Sequence, residues 1–99
     1  MIKTQRTFVN EKRTNFRAYG HTKNTADFLQ AAIEYTKKQI AEVDEEDELE
    51  VIIHFACDDA TYRELRKLTD DAYDRESAEL SDLYTTINPY YQQMIILTK

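Results

Sequence analysis

His54, Cys57, Asp58 and Asp59 put an imidazole, a thiol and two carboxylates within six residues. These are transition-metal ligand types, and a thiol beside a histidine base can act as a nucleophile. They stand where an apolar run through Val51, Ile52 and Ile53 gives way to polar residues, as at the end of a strand. In α/β sheets that end of a strand is where ligands bind. The spacing works against both chemistries. Residues three apart on a continuing strand point to opposite faces, so His54 and Cys57 are expected to be separated. A lone cysteine is most often a small buried apolar group, and aspartate is a favoured helix cap. Cys57 is therefore read as structural and Asp58 as a cap. A magnesium site from Asp58 and Asp59 with Glu34 or Asp27 has no spacing to hold it together. Ser77 and Ser81, the two serines, lie in an acidic stretch with no histidine nearby, so a Ser-His-Asp site lacks support. No catalytic residue, metal ligand or cofactor is assigned. A small metal-dependent or dimeric phosphodiesterase or nuclease at residues 54–59 is kept as the rival reading.

Composition narrows the classes further. The chain has 99 residues, with one glycine, Gly20, and one proline, Pro89. Phosphate-cradling loops and the nucleophile elbow each need at least two glycines, so both are excluded. One cysteine forbids an internal disulfide and suits a reducing compartment. There is no long apolar run, and a cytoplasmic single domain is expected, spanning residues 1–99.

The net charge of −6 hides a division. Residues 1–23 carry six bases against Glu11 alone, +5, whereas residues 24–99 carry seven bases against eighteen acids, −11. The first part reads as a basic hairpin segment and the second as an acidic body. Arg6, Lys12, Arg13 and Arg17, with Phe16 and Tyr19, could form a small nucleic-acid-binding ribbon. Four cations count for little beside the overall charge, so direct nucleic-acid binding is ranked below protein binding.

Two acidic clusters stand out. Residues 42–50 hold seven acids in nine. They lack the glycine and spaced final carboxylate of a calcium loop, and a solvated helix-to-strand turn accounts for them. The second cluster is Asp70, Asp71, Asp74, Glu76, Glu79 and Asp82, with Tyr73, Tyr84, Tyr90 and Tyr91 close in sequence. Carboxylates spaced along a helix imitate phosphate rows, and tyrosines are favoured anchors at interfaces.

The elements that would position these groups follow from periodicity. Residues 2–9 alternate, residues 10–13 are polar, and residues 14–19 alternate again, which predicts a hairpin. Asn24 caps a helix over residues 25–43, with Leu29, Ala32, Ile33, Thr36, Ile40 and Val43 on one face. Glu34 and Lys38 are placed for an outer ion pair. Residues 49–56 and 91–98 are apolar on both faces, as in central strands, which usually implies a parallel neighbour. One helix over residues 59–87 would be about 43 Å long, too long for such a sheet. A break near residues 74–77 is expected, with Ser77 capping a second helical piece that Pro89 ends.

The reading is an α/β (α+β) domain, order β-β-α-β-α(α)-β: a mixed sheet of about four strands with two or three helices on one face. The other face would be open to a second copy, so a homodimer or homo-oligomeric structural module is a further alternative. The function expected is protein binding: an inhibitor occluding a basic, nucleic-acid-binding surface of a partner. Phage counter-defence factors and immunity proteins are similar in size and composition class. The expected binding residues are Asp70, Asp71, Tyr73, Asp74, Glu76, Glu79, Asp82 and Tyr84.

Overall fold

The computed structural model describes residues 2–16, 24–44, 47–87 and 93–99, and for residues 93–97 the backbone alone. The elements are β1 (Lys3–Val9), β2 (Lys12–Thr14), α1 (Thr25–Glu42), β3 (Glu50–Ala56), α2 (Asp59–Glu76), β4 (Asp82–Thr86) and β5 (Gln93–Thr98). They build a small α/β domain whose sheet has five strands in the order β2-β1-β3-β5-β4. The expected class and the order of elements hold, with one strand added.

Every strand pair is antiparallel. The expected parallel neighbour of β3 is corrected accordingly. Two-sided apolarity reports cover on both faces of a strand and says nothing about the direction of its neighbours. Parallel relations survive one strand apart: β2, β3 and β4 run the same way, with β1 and β5 interleaved against them. Thus α1 carries the chain from β2 over β1 to β3, and α2 carries it from β3 over β5 to β4. Both crossovers step in the same direction, and right-handed connections then put both helices on one face.

Alternation along the strands agrees. Val51, Ile53 and Phe55 of β3 are fully buried, as are Thr7 of β1 and Leu83 of β4. Against this layer α1 packs Phe28, Leu29, Ala32, Ile33 and Thr36, and α2 packs Tyr62, Leu65, Thr69 and Ala72. Thr36 and Thr69 occupy core positions because each hydroxyl donates to the carbonyl one turn back, Ala32 O at 2.9 Å and Leu65 O at 2.7 Å. Ile40 and Val43 of the expected stripe only flank the core. Phe28, absent from that stripe, lies 5.4 Å from Phe55 and 6.4 Å from Phe16 between ring centroids.

Caps set the helix starts. Asn24 accepts from Ala26 N–H at 2.9 Å, and Asp58 accepts from Thr61 N–H at 2.7 Å. The bonds from Thr61 hold the Asp58 carboxyl below its ordinary range. The expected Glu34–Lys38 pair does not form, since Glu34 accepts from Gln30 at 3.3 Å instead.

Two expectations about boundaries are corrected. The hairpin turn is two residues, Asn10 and Glu11, both at positive φ, 49° and 70°. The second strand is consequently residues 12–14, while residues 17–20, including Gly20, lie outside the described residues. Helix α2 does break at the expected place, but Ser77 ends it rather than starting another. Residues 82–86 form β4, because Leu83 in, Tyr84 out and Thr85 in is a period of two. Pro89 and the expected strand start at 91–92 lie outside the described residues.

Ile33 is 1% exposed, so Ile33→Asp buries a carboxylate in the core. It should cost at least about 4 kcal/mol, enough to unfold a marginal domain. A melting curve like the parent's would remove this helix face from the core. Glu11 bears the left-handed conformation that glycine adopts freely, so Glu11→Gly should raise stability by about 1 kcal/mol in urea titration.

Candidate functional site

The structure divides the acidic cluster. Asp70, Asp71 and Asp74 face solvent on the outer side of α2, and Tyr73 on its flank is 39% exposed. Glu76 turns inward and meets Lys37 of α1, Nζ to Oε2 at 2.7 Å, with Glu79 of the following turn at 3.9 Å. This bond to Glu76 raises the Lys37 ammonium above its ordinary value. Glu76 is thus engaged with α1, while Glu79, largely exposed, stands at the limit of ion-pair distance.

Asp82 and Tyr84 belong to a different surface. Leu83 and Thr85 point to the helices, so Asp82 and Tyr84 point to the far side of the sheet. Of the eight expected binding residues, the structure gathers four on the α2 surface: Asp70, Asp71, Tyr73 and Asp74. The outer side of α2 is also bipolar, with Arg63, Arg66 and Lys67 preceding these acids.

Of these acids Asp74 lies in the last turn of α2, where a carboxylate opposes the helix dipole. Carboxylates stabilise the first turn of a helix and destabilise the last, by a few tenths to about 1 kcal/mol each. Arg66 and Lys67 precede Asp70 and Asp71 by four residues, the less favourable order for an ion pair. Among the described residues neither base forms an ion pair with them, and Asp74 has none either. Arg75 follows Asp71 by four residues in the favourable order, yet Asp70, Asp71 and Asp74 are in no ion pair among the described residues.

The group at residues 54–59 is taken apart as expected. Cys57 packs against the core, and burial first, then Asp58, pushes its thiol up, away from the thiolate. His54 faces the other side of the sheet, where the Phe8 ring meets it edge-on at 5.6 Å. Asp58 is occupied as the cap of α2. Among the described residues, no three His, Cys, Asp or Glu side chains come together as metal ligands.

The first acidic run lies beside a hollow of about 540 Å³ at one end of the sheet, lined by Glu11, Glu48 and Glu50 together with Lys99. Asn10 closes its floor, donating to Glu48 O at 3.1 Å and accepting from Glu50 N–H at 2.7 Å. Lys99 Nζ reaches Asp44 O at 3.3 Å. Residues 45–46 lie outside the described residues. Of the basic ribbon, Arg6 and Arg13 share one sheet face while Lys12 turns to the other, and Arg17 and Tyr19 lie outside the described residues.

No family model matches the chain, and no curated protein or solved structure does either. Among the described residues no helix is long and apolar enough to cross a membrane.

Sequence reasoning expected an open second face but missed strand β4, which puts Asp82 and Tyr84 on it. Alternation in β4 would have revealed it, had Thr85 and Thr86 been weighed as β-branched residues.

His54 is 8% exposed, and burial first, then the Arg6 guanidinium, lowers its pKa below the ordinary 6.5. Below 6.5 the unfolded chain takes up a proton that the folded chain refuses, so stability falls as pH drops through that value. The loss is complete once pH passes below the folded pKa. Urea midpoints at about pH 7.5 and 5.5 should therefore fall further for the parent than for His54→Met. Equal falls would acquit His54.

Proposed function

We propose that this protein is a protein-binding domain that occludes a basic surface of its partner, such as a nucleic-acid-binding face, and docks through the C-terminal half of α2. The observation that carries this reading is the set Asp70, Asp71 and Asp74. They are exposed and outside any ion pair among the described residues, and Asp74 sits in the last turn, the end of the helix that disfavours it. Carboxylates kept where they cost stability are expected where a partner, rather than the fold, supplies the compensating charge.

The physics of docking supports the helix over the loop. Side chains on a packed helix keep fixed spacings, so their carboxylates lose little freedom when they meet cations. The pair of Lys37 with Glu76 holds this end of α2 against α1. Tyr73, 39% exposed beside Asp70, supplies apolar area that charge alone lacks. Association of this kind weakens with salt, because the field of exposed charges is screened within about 8 Å at physiological ionic strength.

The test is capture of partners from lysate on the immobilised protein, followed by stepwise salt elution and titration of the captured partner. A basic partner should be held in stoichiometric amount and released by salt. Asp71→Lys with Asp74→Lys should abolish capture and leave the melting temperature intact, while Glu45→Lys with Glu46→Lys should do much less. Equal affinity of parent and helix variant, without salt dependence, would end the occlusion reading.

A further inference from the structure

We infer that the sheet face turned away from the helices is the interface of a homodimer, formed by a second copy of this chain packed face to face. The register defines what this face presents. One row crosses all five strands as Arg13, Phe8, Ile52, Ile96 and Tyr84. The next holds Arg6, His54, Met94 and Thr86, and on the other side Glu50 aligns with Thr98 and Asp82. Phe8 and Ile52 are half-buried and Tyr84 is 40% exposed, with no described element above them. Phe8, Ile52 and Tyr84 in one row make an apolar and aromatic strip on this face, and such a strip is the usual mark of a covered face.

Charge selects the occupant. Arg13 stands at the β2 edge of this face, and Asp82 and Tyr84 stand at the β4 edge. A two-fold axis parallel to the strands, passing over β3, lays β2 of one copy across β4 of the other. Arg13 then faces Tyr84 of the partner, with Asp82 one row away, twice over by symmetry. Ile52 meets its own counterpart at the centre. The perpendicular in-plane axis would instead lay β2 on β2 and β4 on β4, so that the Arg13 edge meets its own copy and not the Tyr84 and Asp82 edge. In the first orientation the Arg13 edge meets the Tyr84 and Asp82 edge. Glu50, on β3 beneath the axis, there approaches its own counterpart at one end of the strand. Aligned sheets pack about 10 Å apart, a distance that arginine and tyrosine side chains can fill, and arginine over a tyrosine ring is itself attractive. Five strands make the face only about 19 Å wide, so the dimer is at the small end of specific interfaces and should dissociate on dilution.

Sedimentation equilibrium of the full chain at about 0.15 M salt, where the net charges of the two copies are screened, tests this. The parent should pass from monomer to dimer as concentration rises. Ile52→Lys should abolish the dimer, and Tyr84→Ser, at an exposed position, should weaken it tenfold or more even if Ile52→Lys fails to fold. Arg13→Asp and Asp82→Arg should each weaken it, and the two together should restore it, since each new charge then meets its opposite across the axis. Asp71→Lys on α2 should leave it unchanged. A parent that stays monomeric at every concentration would overturn the inference. So would a dimer indifferent to Tyr84→Ser and to both single charge reversals.

Discussion

Val51, Ile53 and Phe55 of β3 expose nothing to solvent, and the other elements are arranged around that line of three side chains. Burying each is worth roughly 1.5–3 kcal/mol, so the strand cannot be left uncovered on this side. Phe28 packs its ring at a tilt against Phe55 and places α1, while Leu65 and Ala72 bring α2 down beside it. Because β3 is the end of one crossover and the start of the next, both helices must serve the same face. Two helices of eighteen residues each are used up there. Among the described residues, the opposite face, with Phe8, Ile52 and Tyr84, has no layer of its own. The uncovered face is thus a consequence of how the core is closed.

What the sequence discloses depends on whether a signal is local. Helix α1 was legible because a cap and a stripe of period 3.6 agree, and both are encoded within nineteen residues. The expected stripe still omitted Phe28, since alignment along one line hides a residue on its shoulder. The hairpin turn was harder. A two-residue turn with positive φ normally advertises itself with glycine, and here Asn10 and Glu11 take its place. Asn10 is held by bonds to Glu48 and Glu50, some forty residues away, which no local pattern reveals. Residues 80–87 failed for the opposite reason: Leu80, Leu83, Tyr84 and Ile87 fit a helical spacing well. Five residues are too few for period alone to separate helix from strand. The direction of β3's neighbours was illegible in principle, since burial on both sides leaves direction open.

The site shows the same limit. Asp58 as a cap and Cys57 as a packed side chain could be read from residue type and position alone. The acids from 70 to 82 looked like one cluster because they are neighbours in sequence. Neighbours stay together only while one element continues. The chain leaves α2 at Glu76, turns through residues 77–79 and re-enters as β4, so Asp82 and Tyr84 come out on the far side of the sheet. Glu76 and Glu79 fall at the change itself, and a cation from α1, thirty-nine residues before Glu76, claims the first of them.

That division gives the two surfaces different physical characters. At the tip of α2, unneutralised carboxylates stand on a helix fixed at its end by Lys37, so binding there would draw mainly on charge and on the low entropic cost of a rigid scaffold. On the sheet, one arginine edge and one acidic edge flank an apolar middle, so binding there would draw mainly on buried area, with charge choosing the orientation. The two lie on opposite layers and share no residue. Occupation of one leaves the other free, so a dimer through the sheets would carry two α2 tips on its outer sides. Such a dimer could engage two basic surfaces at once, and the second contact would then form at the effective concentration set by the first.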